Sequence, residues 1–177
     1  MTESKNELRK KLRIRAANLD VNYKETASCR ISEKFLASPA FAECNSLFIF
    51  ASTENEPDTS EIIRAALSLG KKVYLPKCGK NRTMKAIRIY DTDELKRGYM
   101  GIPEPIGNEE SDRIDLAVIP CISASADGRR LGHGAGFYDR FLADTDMKKI
   151  CLCYGKLLCD DIPMDEHDIF MDEIITE

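Results

Sequence analysis

Short runs of apolar residues recur along the chain and alternate with segments whose apolar residues follow helical spacing. Continuous apolar runs are typical of strands that are buried on both faces of a parallel sheet. We predict strands at 47–51, 73–76, 116–120 and 150–154, an alternating strand at 85–90 and a short last strand at 173–176. The predicted helices are 5–19, 23–37, 137–142 and one that Asp58 or Thr59 caps and that runs to Leu69.

The order of these elements predicts the fold class. A strand, a helix and a second strand follow one another between residues 47 and 76, which implies parallel pairing and a right-handed crossover. The 177 residues suit one compact domain, and the sequence contains no internal repeat, low-complexity tract or linker. We therefore predict a single Rossmann-like α/β domain over residues 1–177, with a mostly parallel sheet and helices on both faces.

The composition indicates which binding partners and which cellular compartment suit this protein. A chain with a formal net charge of -4 is a poor candidate for general binding to nucleic acid or to anionic membranes. No apolar run is as long as a membrane span, and the polar segment 1–15 does not resemble a secretory signal. The seven cysteines, an odd number, indicate a reducing compartment, and we interpret all of them as small buried hydrophobes. We expect a cytoplasmic monomer without nucleic-acid or membrane partners.

The stretch from Gly128 to Leu142 carries the strongest candidate chemistry. Three glycines stand at every second position, two arginines precede them, and Asp139 follows. A glycine-rich backbone can turn its N–H groups toward an anion, and the N-terminus of the helix at 137–142 would add partial positive charge. We interpret the stretch as a phosphate-binding loop with an acid placed to hold a cation. The alternative is a tight connector whose glycines only form a turn.

Two further features suggest a site. In open α/β sheets, ligands bind beyond the carboxyl ends of the strands, and Glu56 lies there, just after the strand at 47–51. Its alternative role is that of a solvated loop acid. Lys5 and Arg9 are four residues apart and share one face of the first helix, where they can bring charge to a polyanion or form an ordinary solvated face.

Several blocks of the chain, taken in order, resemble the 5-formyltetrahydrofolate cyclo-ligase family, whose members are also called methenyltetrahydrofolate synthetases. The most specific block is 130–140, which is similar to the signature loop of that family. The other similar blocks are 5–9, 56–59, 101–105, 162–168 and 172–175.

The resemblance implies an enzyme that uses ATP as co-substrate and requires Mg²⁺. It implies conversion of 5-formyltetrahydrofolate to 5,10-methenyltetrahydrofolate with release of ADP and phosphate. ATP phosphorylates the formamide oxygen, N10 attacks the resulting N5-iminium phosphate, and phosphate leaves. Two other classes stay open: a phosphate-sugar-binding α/β enzyme of the isomerase type, and a non-catalytic nucleotide-binding module.

The resemblance also implies roles for individual residues. The implied ATP contacts are Lys5, Asn6, Glu7, Leu8, Arg9, Arg130, Leu131, Gly132, His133, Gly134, Ala135, Gly136, Phe137 and Tyr138. The implied folate contacts are Ala51, Glu56, His133, Gly134, Ala135, Gly136 and Phe137. Arg130 and Tyr138 are the residues implied in catalysis.

The same resemblance assigns Mg²⁺ to Asp139 and Asp168. Magnesium usually takes one or two carboxylates together with phosphate oxygens and water, and two aspartates beside a glycine loop suit that pattern. The alternatives are that Asp139 caps the loop or pairs with an arginine such as Arg140, and that Asp168 is a surface acid.

Two positions of the loop differ from residues found in the family, and a third lies where the family sequence varies. Phe137 stands where the family usually has tyrosine, so it can pack on the pterin but has no hydroxyl to donate. Ala135 stands where some members carry lysine, so that positive charge is missing. His133 occupies a variable position, and we assign it no catalytic role.

Overall fold

A six-stranded sheet forms the centre of the protein in a computed structural model that describes residues 3–98, 101–111 and 113–177. The helices are α1 (Lys5–Ala17), α2 (Val21–Leu36), α3 (Pro39–Glu43), α4 (Ser60–Ser68) and α5 (Phe137–Leu142). The strands are β1 (Ser46–Ile49), β2 (Lys72–Cys78), β3 (Met84–Ile89), β4 (Leu95–Arg97), β5 (Pro103–Pro105), β6 (Leu116–Ile119), β7 (Ser123–Ala124), β8 (Arg130–Leu131), β9 (Lys148–Leu152) and β10 (Glu173–Ile175). Short 3-10 turns lie at Lys80–Arg82, Thr92–Glu94 and Gly155–Leu157.

The strand order of the main sheet is β10-β9-β6-β1-β2-β3. All neighbouring pairs are parallel except β2 and β3. These two strands are antiparallel because the connection through the Lys80–Arg82 turn is too short for a crossover. The mostly parallel sheet with its flanking helices confirms the predicted α/β class, and the antiparallel edge strand is the one departure from parallel pairing in it.

The order of the strands also shows where a ligand can enter. The chain passes from β1 to β2 on one side, whereas it passes from β6 to β9 on the other, and β1 and β6 are neighbours. A reversal of this kind opens a crevice at the carboxyl ends of the two strands. Residues 50–59 follow β1, and the segment with the glycine loop follows β6, so both predicted ligand-binding segments start at this crevice.

Two apolar clusters hold the elements in place. The larger one contains the fully buried residues of the parallel strands, among them Phe48, Val118 and Ile150. The smaller one packs the apolar face of α1 against β8 and the loop before β10, and its members are Leu8, Leu12, Ile122, Leu131 and Ile162. Burial of apolar area contributes about 25 cal/mol per Å², so this smaller cluster fixes α1 beside the glycine loop.

Most predicted elements are confirmed, and the differences have local causes. A short helix, α3, follows α2 and was not predicted; Ser38 caps it, and Pro39 stands in its first turn. The pair β7 and β8 was not predicted, since two-residue strands have no periodicity. The described helices include none that is long and apolar enough to cross a membrane.

The expected burial of all seven cysteines is wrong for Cys29, which is exposed. Two others, Cys78 and Cys159, are only partly buried. The remaining four are buried as predicted. Contacts with the thiols of Cys151 and Cys153, together with burial, raise the pKa of the Cys121 thiol, so this thiol stays protonated.

Candidate active site

The glycine loop, residues 132–136, connects β8 to α5 and brings two arginines against its backbone. Gly134 and Gly136 have φ angles of 101° and 68°, which other residues rarely adopt. A Cβ atom at Gly134 would lie 3.3 Å from Cζ of Arg9, and one at Gly132 would lie 2.8 Å from Nη1 of Arg130. A simple turn would explain the φ angles alone, whereas the close approach of two guanidinium groups places positive charge against the backbone of the loop.

Helix α1 lies along this loop with its basic face inward. Arg9 Nε donates to the carbonyl of Gly132 at 2.9 Å, and its Nη1 donates to the side chain of Asn6. The side chain of Lys5 is only 14% exposed. The alternative of an ordinary solvated face is therefore wrong for these two cations. Burial and the neighbouring charge of Arg13 lower the pKa of Arg9, so an anion bound here would relieve an unfavourable field.

Arg130 is enclosed beneath the loop and pairs with Asp139. Its side chain is 3% exposed, Nη2 donates to Asp139 Oδ1 at 2.8 Å, and Nη1 donates to the carbonyl of Pro120. Burial opposes the charge, but the carboxylate outweighs it and raises the pKa of Arg130. Arg130, not Arg140, is thus the arginine partner of Asp139, while Arg140 donates to the carbonyl of Ala135.

The acidic loop before β10 closes the site at the start of α1. Lys5 Nζ contacts the carboxylates of Asp165, at 2.6 Å, and of Asp168. Burial lowers the pKa of Lys5, but these two contacts outweigh it and raise the pKa above the ordinary value. The backbone N–H of Ile169 donates to Asp139 Oδ1 at 3.4 Å, so Asp139 contacts the residue that directly follows Asp168.

The donor set is compatible with magnesium, although each aspartate already has a basic partner. Asp139 and Asp168 have side chains that are 21% and 22% exposed, so a carboxylate oxygen of each can face a ligand. The part of the chain that the structure describes contains no cluster of three or more histidine, cysteine or acidic side chains that could hold a metal alone. Two aspartates supply only part of the coordination shell of Mg²⁺. The donor set therefore fits a magnesium ion that arrives with a nucleotide, whose phosphate oxygens would complete the shell.

Glu56 lies at the carboxyl end of β1 and is buried, so it is not a solvated loop acid. Its Oε2 accepts hydrogen bonds of 2.8 Å from the backbone N–H and the hydroxyl of Thr53. Its Oε1 lies 3.2 Å from Nε2 of His133 in the glycine loop. Residues that are 77 positions apart thus join the two predicted halves of the site. His133, to which we assigned no catalytic role, makes the direct link.

A buried hydrogen-bond network holds the Glu56 segment in place. Tyr154 donates its hydroxyl to the carbonyl of Glu56 at 2.9 Å and lies 3.1 Å from the hydroxyl of Ser28. Ser28 in turn accepts from the backbone N–H of Asp58 at 3.0 Å. Sequence reasoning missed these residues, because nothing in the local pattern around Tyr154 signals a contact with a loop 98 positions away.

Tyr138 of α5 packs against the strand that leads into the crevice. Tyr138 packs against Phe48 of β1, and the guanidinium of Arg130 lies 5.7 Å from the centre of its ring. Burial, with a smaller effect from Glu56, raises the pKa of the Tyr138 hydroxyl. The hydroxyl therefore stays protonated at neutral pH and can donate a hydrogen bond. Phe137 starts α5 and is partly buried, and Ala51 is buried where β1 ends.

Other implied site residues have structural roles. Glu7 accepts from the backbone of Ser4 and completes the capping box of α1, while Leu8 and Leu131 are buried in the smaller apolar cluster. Their side chains position α1 and β8, so contact with a nucleotide would involve other groups. Arg13 and Asp165 were not predicted, although the four-residue spacing from Arg9 and the shared acidic loop could have indicated them.

These features define an α/β domain with an arginine-lined glycine loop at the crevice between β1 and β6. Comparison with known proteins gives the family. The family model for the 5-formyltetrahydrofolate cyclo-ligase family matches residues 1–177. A probable 5-formyltetrahydrofolate cyclo-ligase of Caenorhabditis elegans is 32% identical over 192 residues, which cover 99% of this chain and 93% of that protein. The chain belongs to the 5-formyltetrahydrofolate cyclo-ligase family.

Solved structures agree with this assignment. The 5,10-methenyltetrahydrofolate synthetase of Aquifex aeolicus superimposes with a TM-score of 0.86 at 26% identity, over 97% of this chain and 88% of that chain. A Mycoplasma pneumoniae 5,10-methenyltetrahydrofolate synthetase has a TM-score of 0.81 at 21% identity, over 98% of this chain and 99% of that chain, and supports the fold.

Proposed function

We propose that the protein converts 5-formyltetrahydrofolate and ATP to 5,10-methenyltetrahydrofolate, ADP and phosphate. The observation that carries the proposal is the contact between Glu56 and His133, because it brings the implied folate residue to the implied phosphate loop. A reaction between a folate formyl oxygen and a γ-phosphoryl group needs both ligands in one crevice. The family membership supports the same reaction.

The folate end of the crevice suits a pterin. A carboxylate can accept hydrogen bonds from the amino and ring N–H groups of that ring, and Oε1 of Glu56 is the oxygen that Thr53 leaves for such a contact. Phe137 can pack on the ring. Because the imidazole of His133 occupies this oxygen, it has to move away from Glu56 when folate binds, and it can then turn toward the phosphates of ATP.

The loop end suits phosphoryl transfer. The formyl oxygen attacks the γ-phosphorus, and ADP leaves. N10 of the same folate then attacks the iminium carbon, and phosphate is expelled together with the proton that N10 loses. Arg9 and Lys5 stabilise negative charge that grows on the phosphoryl oxygens, and Tyr138 can donate a hydrogen bond to them. Arg130 acts through Asp139, which it holds at the edge of the loop.

Asp139 and Asp168 would hold Mg²⁺, which when bound neutralises phosphate charge.

We further propose that residues 1–177 work as one catalytic unit and as a monomer in the cytoplasm, without nucleic-acid or membrane partners. The seven free cysteines and the net charge of -4 support this location and this choice of partners.

The direct test mixes purified protein, MgATP and 5-formyltetrahydrofolate and follows the near-ultraviolet absorbance of the methenyl product. We expect product only with all three components. An isomerase-type enzyme would need no ATP, and a non-catalytic nucleotide-binding module would bind ATP without product. Product formed without ATP, or none with every component present, would contradict the proposal.

Replacement of Glu56 by glutamine is expected to impair folate use rather than ATP use. Loss of hydrogen bonds to a charged group is worth about 1.5–3 kcal/mol, so kcat/KM for folate should fall about tenfold to a hundredfold. The KM for ATP should change less than about twofold. Steady-state kinetics with each substrate varied in turn measure both.

Glu54→Gln is the matched control, because Glu54 lies in the same loop but is exposed. Phe137→Tyr should be tolerated, since it restores the residue that the resemblance implies for this position. Unchanged folate kinetics in Glu56→Gln would limit Glu56 to a structural role in the loop.

Replacement of Asp139 or Asp168 by asparagine is expected to raise the Mg²⁺ concentration needed for half-maximal rate about tenfold. The physical reason is that one oxygen ligand of the metal loses its charge. The measurement is a Mg²⁺ titration at saturating ATP and folate, with the melting temperature recorded in parallel. Asp165→Asn is the control for Asp168, because Asp165 also contacts Lys5. An equal shift in Asp165→Asn, or activity loss that only follows the melting temperature, would make the pair structural.

A further inference from the structure

Two buried hydroxyl groups hold the backbone of the loop that contains Glu56. The hydroxyl of Tyr154 lies 2.9 Å from the carbonyl oxygen of Glu56, and that of Ser28 lies 3.0 Å from the backbone nitrogen of Asp58. Both side chains are buried, so water has little access to these contacts. Pro57, between the two held positions, has no N–H with which to make a bond of its own. The loop is therefore fixed on both sides of this proline by side chains from distant parts of the chain.

The hydrogen bonds in this network can run in one direction only. A backbone N–H can only donate, so that of Asp58 donates to the hydroxyl of Ser28. A carbonyl can only accept, so that of Glu56 accepts the single proton of Tyr154. The 3.1 Å contact between the two hydroxyls then requires Ser28 to donate to Tyr154. Burial raises the pKa of Tyr154, so its hydroxyl keeps this proton at neutral pH. Each bond polarises the next, and loss of either hydroxyl weakens the whole chain of bonds.

The side chain of Glu56 is fixed within the same loop. Its Oε2 accepts two hydrogen bonds of 2.8 Å from Thr53, and its backbone N–H donates to the carbonyl of Thr53 at 3.1 Å. Thr53 thus sets one end of the residue and Tyr154 sets the other, while Oε1 is directed to His133 of the glycine loop. A carboxylate that is fixed in this way before a ligand arrives loses less conformational freedom on binding.

We propose that Tyr154 is a positioning residue for the folate substrate, an inference that rests on the proposed function. Its hydroxyl is bonded to Glu56 and Ser28, so it acts through Glu56 and not on the substrate itself. It fixes the backbone of Glu56 and thereby the direction in which the carboxylate meets the pterin ring. Hydrogen bonds weaken steeply when their angles are distorted, so a carboxylate that accepts from N–H groups of a rigid ring needs a set orientation.

A second tyrosine beside Tyr154 provides a matched control. The ring of Tyr23 packs against that of Tyr154, with 5.8 Å between the ring centres. The Tyr23 hydroxyl contacts the carboxylate of Glu177 and accepts from the backbone N–H of Lys156 at 3.2 Å, so its bonds lie away from the Glu56 loop. Tyr23→Phe and Tyr154→Phe therefore remove the same atom from two adjoining rings, and only the second change releases the loop.

The experiment measures steady-state kinetics of the 177-residue protein with folate and ATP varied in turn, and records the melting temperature of each variant. Tyr154→Phe is expected to lower kcat/KM for 5-formyltetrahydrofolate about tenfold, the effect of one lost buried hydrogen bond, and to leave the KM for ATP within about twofold. Ser28→Ala should lower kcat/KM for folate in the same way. Tyr23→Phe should leave both quantities within about twofold, even where its melting temperature falls.

A combination with Glu56→Gln separates positioning from a general loss of structure. If Tyr154 acts through Glu56, the addition of Tyr154→Phe to Glu56→Gln should lower kcat/KM for folate by less than about twofold, whereas independent effects would multiply. Losses that multiply, unchanged folate kinetics in Tyr154→Phe, or an equal loss in Tyr23→Phe would overturn the proposal.

If the wild-type protein makes no methenyl product, the proposed function fails separately. Equilibrium dialysis of 5-formyltetrahydrofolate without ATP then tests the positioning role by itself. Tyr154→Phe should bind this folate about tenfold more weakly than the wild-type protein does, while Tyr23→Phe should bind it equally well. Equal binding by Tyr154→Phe and the wild-type protein, or no binding by either, would count against the role of Tyr154.

Discussion

Replacement of Arg130 by methionine is expected to abolish measurable turnover and to destabilise the fold. The guanidinium is 3% exposed and joins Asp139 to the carbonyl of Pro120, so its loss leaves a partly buried carboxylate and a carbonyl without their partner. Breaking a buried ion pair costs about 3–5 kcal/mol, and we expect about 3 kcal/mol because the Asp139 side chain keeps 21% of its exposure. Urea denaturation measures the free energy of unfolding.

A neighbouring arginine gives the control. Arg129 is 34% exposed and pairs with Asp127 and Asp161 at the surface, so Arg129→Met should cost less than about 1 kcal/mol and leave turnover unchanged. The double variant Arg130→Met with Asp139→Asn should regain part of the stability without regaining activity. Near wild-type turnover in Arg130→Met would show that the ion pair does not position Asp139 for catalysis.

Arg9→Gln is expected to lower kcat/KM for ATP by about 100-fold, mostly through kcat, while the fold stays intact. A fixed donor near a transferring phosphoryl group acts mainly on the transition state, and removal of one such donor typically costs about 10²–10³ in rate. Arg9→Lys should recover only part of the loss, because lysine keeps the charge but cannot span Gly132 and Asn6 as the guanidinium does. Steady-state kinetics with ATP varied measure the effect.

Arg15→Gln is the matched control, because Arg15 is exposed near the end of the same helix. A protein with Arg9→Gln that keeps its ATP kinetics but melts at a lower temperature would have lost only a link between α1 and the loop. In that case the charge on the phosphates would have to be met by Lys5 and by the backbone of the loop.

The sequence alone determined most of the elements and the fold class, since both depend on local patterns. The buried strands at β1, β6 and β9 are short apolar runs, and α5 begins just after the glycine that the pattern marks as its start. Lys5 and Arg9 could be placed on one face because helical spacing is a local property. The loop and its adjacent acid were recognisable from their composition and order.

Only the tertiary structure decided which of these residues meet. Glu56 and His133, like Arg130 and Asp139, become partners because β1, β6 and α5 converge at one crevice, and no periodicity along the chain encodes that convergence. The choice of Arg130 over Arg140 as the partner of Asp139 follows from burial, since an enclosed cation needs a carboxylate more than an exposed one does. The basic face of α1 likewise lies toward the loop because a small apolar cluster packs the opposite face of that helix against β8.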